Sequence, residues 1–187
     1  RAMSDLAGRL IALTPRLRRH ARGLTGDATR ADDLVQDTLE RAWRFRWRFQ
    51  LRPTRLGVLG AAVEAGDPLF AWLLTIMHRL HLNAVRRPDR LDLTDTPPEI
   101  PINEDPGLRR DMLRALASLP EDQRAVLLLV GLEQLAYREA ADVLGVPVGT
   151  VMSRLSRARE RMRVALDGAP AASGPPADSS TTLHRVK

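Results

Sequence analysis

The chain contains no cysteine, and its 187 residues include a single lysine, Lys187. The absence of cysteine excludes disulfides, cysteine-ligated metals and thiol nucleophiles, and it fits a reducing compartment. No apolar run approaches the roughly 20 residues that a helix needs to cross a bilayer, and the sequence opens without a signal-peptide pattern. These absences predict a cytoplasmic protein without direct membrane insertion.

The signatures of catalysis are also missing. The sequence has no Ser-His-Asp arrangement, no paired carboxylates and no phosphate-binding loop, so we predict neither a catalytic site nor a cofactor. His78 and His81 are spaced as two metal ligands on one helix could be, but no third ligand is within reach. The sequence therefore predicts a protein that is not an enzyme and has no metal site.

Charge is distributed unevenly along the chain. Residues 1–87 carry 16 basic and 8 acidic side chains, residues 88–107 carry 1 and 6, and residues 108–166 carry 10 and 7. Two basic segments separated by an acidic one suggest two modules that meet a polyanion, joined by a connector that does not.

The same boundaries follow from composition. Residues 88–107 hold five prolines among acidic residues and lack a helical or alternating period, which predicts a flexible linker. The Pro-, Ala- and Ser-rich residues 167–187 are predicted to be a disordered tail. In residues 5–87 and 108–166 apolar residues recur every three or four positions. We therefore predict an all-α protein of two small helical domains.

The stretch ERAWRFRWRFQ, residues 40–50, alternates arginines with four aromatic rings. A β-strand would place all four rings on one side. A helix continuing from Asp32 instead places Val35, Leu39, Ala42 and Trp43 on one apolar stripe, which predicts that Trp43 belongs to the core. The arginines would then fan around the helix end, where cations interact favourably with its dipole.

The second basic segment contains a helix-turn-helix pattern. YREAADVL, residues 137–144, supplies the first helix, Gly145-Val146-Pro147 the turn, and residues 148–162 the second helix. Val151, Leu155, Ala158 and Met162 recur at spacings of four, three and four, so they are predicted to face inward. The outward positions near the start of the second helix, where such helices enter the major groove, carry Thr150, Ser153, Arg154 and Arg157. The arginines that follow, Arg159, Arg161 and Arg163, are predicted phosphate contacts.

These motifs together resemble a known family. LTGDATRADDLVQDTLERAW followed by AWLLTI, and LASLPEDQRAVLLLVGLEQLAYREAADVLGVPVGTVMSRLSRARERMR, resemble regions two and four of bacterial sigma factors of the extracytoplasmic-function (ECF) group. The resemblance covers both predicted domains. It implies that residues 5–87 are region 2, which binds core RNA polymerase and the minus-ten element. It also implies that residues 108–166 are region 4, which reads the minus-35 element.

The resemblance also implies roles for individual residues. The helix from Asp32 to Arg44 corresponds to the surface that docks on the clamp helices of the polymerase β-prime subunit, and its outward residues are Asp33, Gln36, Asp37, Glu40 and Arg41. Helix 69–87 corresponds to the element that melts minus-ten DNA, where the candidate contacts are His78, Arg79, Asn83, Arg86 and Arg87. The candidate minus-35 contacts are Thr150, Ser153, Arg154, Arg157 and Arg159.

The chain departs from the family pattern after Gln50. LRPTRLGVLGAAVEAGD, residues 51–67, is inserted where the loop that recognises the minus-ten base normally lies. Arg79 also replaces the usual asparagine of the minus-ten helix. The resemblance therefore says least about which minus-ten sequence the protein recognises.

Two further functions remain open at this point. A sigma mimic with the same two modules would sequester an anti-sigma factor without directing transcription; such mimics typically carry a receiver domain, which this sequence lacks. A conventional helix-turn-helix regulator would leave the DDLVQDTLERAW motif unexplained. For a sigma factor, the resemblance implies core RNA polymerase, promoter DNA and an anti-sigma factor as partners, with control by stress or another signal.

Overall fold

The computed structural model describes residues 2–50, 67–86 and 106–167, and every regular element in these ranges is helical. The first module comprises α1 (Ala2–Thr25), α2 (Ala28–Arg44), α3 (Arg46–Gln50) and α4 (Pro68–Arg86). The second comprises α5 (Pro106–Ala117), α6 (Glu121–Leu127) with a π-helical continuation (Leu128–Leu132), α7 (Tyr137–Leu144) and α8 (Val148–Asp167). The all-α prediction is confirmed. Residues 51–66 of the inserted loop, residues 88–105 of the predicted linker and residues 168–187 of the predicted tail lie outside the described residues. The last two residues of the predicted linker, Pro106 and Gly107, instead begin α5, and the first residue of the predicted tail, Asp167, ends α8.

Helix α2 is the centre of the first module. The chain reverses before it at Gly26, whose φ of 72° suits glycine, and the Asp27 side chain caps the helix by accepting a hydrogen bond from the backbone N–H of Arg30 at 2.7 Å. One face of α2 packs against α1 and α4. The buried residues of this face are Ala31, Leu34, Val35, Thr38 and Ala42. Burial of this face leaves the opposite, charged face in solvent.

The prediction that Trp43 belongs to the core is wrong. Its side chain is 39% exposed: Trp43 lies in the last turn of α2, beside the buried stripe that ends at Ala42. The helix ends at Arg44, and the chain passes through Phe45 into the short helix α3. The guanidinium of Arg46 lies over the Trp43 ring at 5.0 Å, and that of Arg48 lies 5.1 Å from the Trp47 ring. The alternating stretch is thus helical, but its end presents paired cations and rings at the surface.

The helix-turn-helix forms as predicted. Gly145 ends α7 in the left-handed conformation, with a φ of 67°, and the backbone N–H of Val146 donates to the Ala141 carbonyl at 3.0 Å. Helix α8 then buries the four residues predicted to face inward, namely Val151, Leu155, Ala158 and Met162. The turn and this stripe fix which residues of α8 face outward.

Replacing Gly145 with alanine is expected to destabilise the protein by about 1 kcal/mol, because a side chain in the left-handed region is strained even where space is open. Chemical unfolding measures this change. Gly149→Ala is the matched control, since Gly149 lies in the first turn of α8 and also faces open space. A Gly145→Ala protein as stable as its Gly149→Ala counterpart would contradict the assignment of the turn.

The two modules pack against each other. Helix α4 contacts α7, and α1 contacts α5, α6 and the π-helical segment. Leu17 and Leu24 of α1 belong to one continuous buried cluster with Val126 and Leu129 of the second module. At Gly23 an added Cβ would lie 2.7 Å from the Leu128 side chain, which shows how closely α1 approaches the second module. The structure therefore describes a closed molecule.

Candidate polymerase and nucleic-acid interfaces

The outward face of α2 is acidic and accessible. All five residues predicted to bind polymerase are exposed, namely Asp33, Gln36, Asp37, Glu40 and Arg41. The Gln36 amide donates to the Glu40 carboxylate at 3.0 Å, one helical turn apart. The buried stripe on the opposite side holds this face outward, so it can serve as a docking surface for a protein.

The outward face of α8 carries basic and hydroxyl side chains. Ser153, Arg157 and Arg159 are exposed, and Thr150 is half-buried. Arg154 differs from them, because its Nε lies 3.0 Å from the Asp122 carboxylate of α6 and its side chain is 28% exposed. Arg157 and Arg159 thus reach solvent more freely than Arg154 does.

Farther along α8, Arg163 is held within its own helix. Its guanidinium binds Glu160 at 2.8 Å and Asp167 at 3.0 Å. The hydrogen bond from Arg163, and then its charge, lower the pKa of Glu160. These acidic partners offset the charge of Arg163, so it is a weaker candidate for a phosphate contact than Arg159 or Arg161, which are exposed.

Helix α4 places three of the predicted minus-ten residues at the surface: Arg79, Asn83 and Arg86 are exposed, whereas Arg87 lies outside the described residues. Beside them an open cavity of about 220 Å³ lies between the end of α2 and α4. Its lining combines apolar groups with basic ones. The lining residues are Arg41, Phe45, Arg48, Trp72, Thr75, Ile76, Arg79, Leu80 and Asn83. Trp72, which forms a wall of the cavity, is 9% exposed, and its ring lies 5.4 Å from the Phe49 ring at a tilt of 32°.

The structure buries His78, which is one of the candidate minus-ten contacts and would need an exposed ring to meet DNA. Its side chain is 7% exposed, and its Nε2 lies 3.0 Å from Nε2 of His20 on α1. Burial, and then the neighbouring His20 and His81 rings, lower the pKa of His78 well below its ordinary value of 6.5. The His20 ring meets the His78 ring edge to face with centroids 5.1 Å apart, so α1 covers the position that was expected to meet DNA.

A buried polar cluster that the sequence analysis missed joins the modules at this point. Glu133, which follows the π-helical segment, is 2% exposed; its carboxylate lies 2.7 Å from Arg16 Nε and 3.2 Å from His20 Nδ1. Burial alone would raise the pKa of Glu133, but the hydrogen bonds and charges of His20 and Arg16 hold it below its ordinary value. Glu133 is therefore a buried carboxylate with two partners on α1.

Two more polar contacts cross between the modules. His81 Nε2 lies 2.5 Å from the Glu121 carboxylate, which also lies 3.5 Å from Arg124. The guanidinium of Arg124 donates to the Leu24 carbonyl at the end of α1 at 2.8 Å. It also binds three carbonyls near the end of α5, namely those of Leu116, Ala117 and Leu119. Arg124 thus satisfies helix-end carbonyls in both modules.

Within the ranges that the structure describes, no group of three or more His, Asp or Glu side chains is arranged to hold a metal ion. In the same ranges, no helix combines the length and the apolar character that a membrane span requires.

Comparison with known proteins gives matches in both modules. Residues 109–162 match the family model of sigma-70 region 4, and residues 10–57 match that of the sigma2 domain of PhyR. The ECF RNA polymerase sigma factor EcfG of Rhodopseudomonas palustris (strain TIE-1) is 36% identical over 168 residues, covering 86% of this chain and 85% of that protein.

Two solved structures also match this chain over most of its length. The sigma factor RpoE in complex with the anti-sigma factor NepR, from Bartonella quintana, is 29% identical with a TM-score of 0.64, covering 88% of this chain and 98% of RpoE. The PhyRSL–NepR complex from Sphingomonas sp. Fr1 is similar in fold, at 22% identity and a TM-score of 0.58, covering 96% of this chain and 99% of the matched chain.

Proposed function

The chain belongs to the ECF RNA polymerase sigma factors, and from this premise we propose how its surfaces divide the work of transcription initiation. A sigma factor binds core polymerase and directs it to promoters without catalysing the reaction itself. In this protein the acidic face of α2 would dock on the clamp helices of the β-prime subunit, and α4 and α8 would read promoter DNA. This proposal rests on one observation: the exposed acidic face lies on α2, whereas the exposed basic faces lie on α4 and α8.

For the minus-35 element we propose direct reading by α8. The helix-turn-helix geometry presents its N-terminal half to the major groove, where Arg157 and Ser153 would meet base edges and Thr150 a phosphate or base. Arg159 would contact a phosphate. Arg154 would have to exchange Asp122 for DNA, because the two are paired in the closed molecule.

For the minus-ten element we propose capture of a melted strand beside α4. Arg79, Asn83 and Arg86 would follow the strand backbone, and the cavity walled by Trp72 would receive an unstacked base. The exposed rings of Trp43 and Trp47, each with an arginine beside it, would offer stacking surfaces at the same end of α2. His78 is not part of this proposal, because it is buried.

We also propose that an anti-sigma factor controls the protein. Bartonella RpoE, whose match spans both modules of this chain, is bound to the anti-sigma factor NepR. An inhibitor that holds the two modules together would keep α4 and α8 from reaching their promoter elements at the same time. The proposed site of action is the cytoplasm, where RNA polymerase works.

Transcription reconstituted from purified core polymerase, this chain and pooled genomic fragments tests the proposed function. We expect transcripts with discrete 5′ ends whose upstream sequences share minus-ten and minus-35 motifs. Core polymerase alone, or core with a chain that lacks α2, should give no such ends. Absence of discrete ends with the full chain would contradict the proposal.

One observation favours a second candidate, the sigma mimic. Residues 10–57 match a PhyR domain, and PhyRSL of Sphingomonas is bound to NepR, the anti-sigma factor of the Bartonella complex. A mimic would bind an anti-sigma factor but give no transcripts with core polymerase. The reconstituted reaction therefore separates the two candidates.

A further inference from the structure

Two large apolar side chains are exposed on α8, a helix that the structure describes along its whole length. Met152 is 52% exposed and Val164 is 58% exposed. Single apolar residues are common on protein surfaces, so exposure alone indicates no role. The two differ in position: Val164 lies in the last turn of α8, whereas Met152 lies in its N-terminal half, directly before Ser153. Met152 therefore stands among the residues that we propose meet base edges.

Small residues surround Met152 on the surface of the helix. Its neighbours on this side of α8 are Gly149, three residues before it, and Ser156, four residues after it. Both neighbours are exposed, and a Cβ added at Gly149 would meet nothing within 4 Å. The methionine side chain therefore projects beyond both neighbours, and another molecule has room to approach it closely.

The charge around Met152 favours a nucleic acid as that molecule. Residues 148–159, the first twelve of α8, contain three arginines and no acidic residue. Arg157 and Arg159 of this set are exposed within two turns of Met152. A basic surface attracts a polyanion, and the duplex would bring its base edges as well as its phosphates to this side of the helix.

The base edges in the major groove offer one apolar group. All four bases present hydrogen-bond donors or acceptors there, and thymine alone adds a 5-methyl group. An apolar side chain that reaches these edges buries apolar surface against that methyl group, whereas against another base it would cover a polar atom without bonding to it. The unbranched, flexible methionine side chain can adjust its end to the position of the methyl group.

We propose that Met152 is a specificity-determining residue for the minus-35 element, which recognises one thymine by packing against its 5-methyl group. This inference rests on the proposed function of α8 and adds an apolar contact to the polar contacts proposed for Ser153 and Arg157. It requires an A·T base pair in the minus-35 element, at a position where the methyl group itself matters.

Deoxyuridine isolates this contact, because it differs from thymidine only in lacking the 5-methyl group. Thymines in the minus-35 element of a promoter mapped by the reconstituted reaction are replaced one at a time, on both strands. The dissociation constant of each duplex is measured with core polymerase and the full chain together. We expect one replacement to weaken binding by about 4-fold, as the loss of one buried methyl group should.

Met152→Ala removes the same contact from the protein side. This variant should bind the thymine duplex about 4-fold more weakly and lose nothing further on the deoxyuridine duplex, because the two changes remove one shared interaction. Alanine is the best helix former and the buried stripe of α8 is untouched, so the variant should fold. Met152→Leu keeps an apolar side chain and should retain a preference for thymine.

Val164→Ala is the matched control, since it truncates the other exposed apolar residue of the same helix, outside the proposed reading positions. We expect it to bind as the unsubstituted protein does and to keep the full preference for thymine. The thymine preference is a readout that a merely structural role of Met152 would not change.

Two results would overturn the proposal. If every deoxyuridine replacement leaves the affinity of the unsubstituted protein unchanged, no thymine methyl group is recognised. If Met152→Ala weakens the thymine and deoxyuridine duplexes by the same factor, the side chain contacts polymerase or supports the fold instead of reading a base. In either case discrete transcripts from the same promoter would still support the proposed function, so the two proposals can fail separately.

Discussion

Reversing Asp33 and Asp37 to arginine together is expected to weaken binding of core polymerase by at least about 100-fold and to abolish promoter-specific transcripts. Both carboxylates are exposed and lie one turn apart on the outward face of α2. The double substitution changes the charge of this face by four units, and like charges brought together at an interface cost several kcal/mol. Fluorescence titration of labelled protein with core polymerase measures the loss.

The fold should survive this change, because the buried stripe of α2 is untouched and arginine is a good helix former. Asp5→Arg combined with Asp142→Arg is the matched control: it makes the same change in net charge at exposed positions on α1 and α7. We expect this control to bind core polymerase nearly normally. Equal losses in the two double variants would show that net charge matters and that the α2 face does not.

Replacing Arg157 with alanine is expected to weaken binding to a mapped promoter by about 10- to 100-fold. The side chain is exposed on the outward side of α8, opposite the buried Val151, Leu155 and Ala158. One bidentate contact from arginine to a guanine edge is worth about 1 to 3 kcal/mol. Arg157→Lys should restore little of the affinity, because a lysine ammonium cannot make the paired contact.

A mobility-shift titration of the full chain on promoter and scrambled duplexes measures this loss. Arg163→Ala is the control on the same helix, since Arg163 already binds Glu160 and Asp167. We expect Arg163→Ala to bind nearly as the unsubstituted protein does, and Arg159→Ala to weaken both duplexes alike by losing a phosphate contact. If Arg157→Ala weakened the two duplexes equally, Arg157 would not be a base-reading residue.

The helix-turn-helix could be predicted from the sequence because its signals are local. The four inward residues of α8 follow the helical period, and Gly145 marks a turn that needs a left-handed residue. The exposed acidic face of α2 could be predicted for the same reason. In both cases a single helix buries one face, and periodicity is enough to identify it.

Trp43 and His78 depart from the sequence analysis for different physical reasons. The apolar stripe of α2 predicts that Trp43 lies in the core, but the buried part of the stripe ends at Ala42 and Trp43, in the last turn of the helix, is exposed. The resemblance implies that His78 contacts minus-ten DNA, which requires an exposed ring, but α4 packs against helices on several sides and His78 is buried. Periodicity within α4 gives no sign of a partner that lies in the other module.

The sequence gives the least indication of the polar cluster between the modules. Glu133 lies 113 residues from His20 and 117 from Arg16, so nothing in the local sequence links them. A weak signal was present: His20 falls on the same face of α1 as the buried Leu17, Ala21 and Leu24. A polar residue on a buried face needs a partner, and here that partner is supplied by a distant segment.

Permanganate footprinting of a mapped promoter tests the central claim most directly, because permanganate oxidises thymines that have lost their base pairing and stacking. With core polymerase and this chain together, thymines near the minus-ten element should become reactive, and they should stay unreactive with either component alone. The Asp33→Arg and Asp37→Arg double variant should leave them unreactive as well. If core polymerase with the unsubstituted chain gives no more reactivity than core polymerase alone, the protein does not act as a sigma factor.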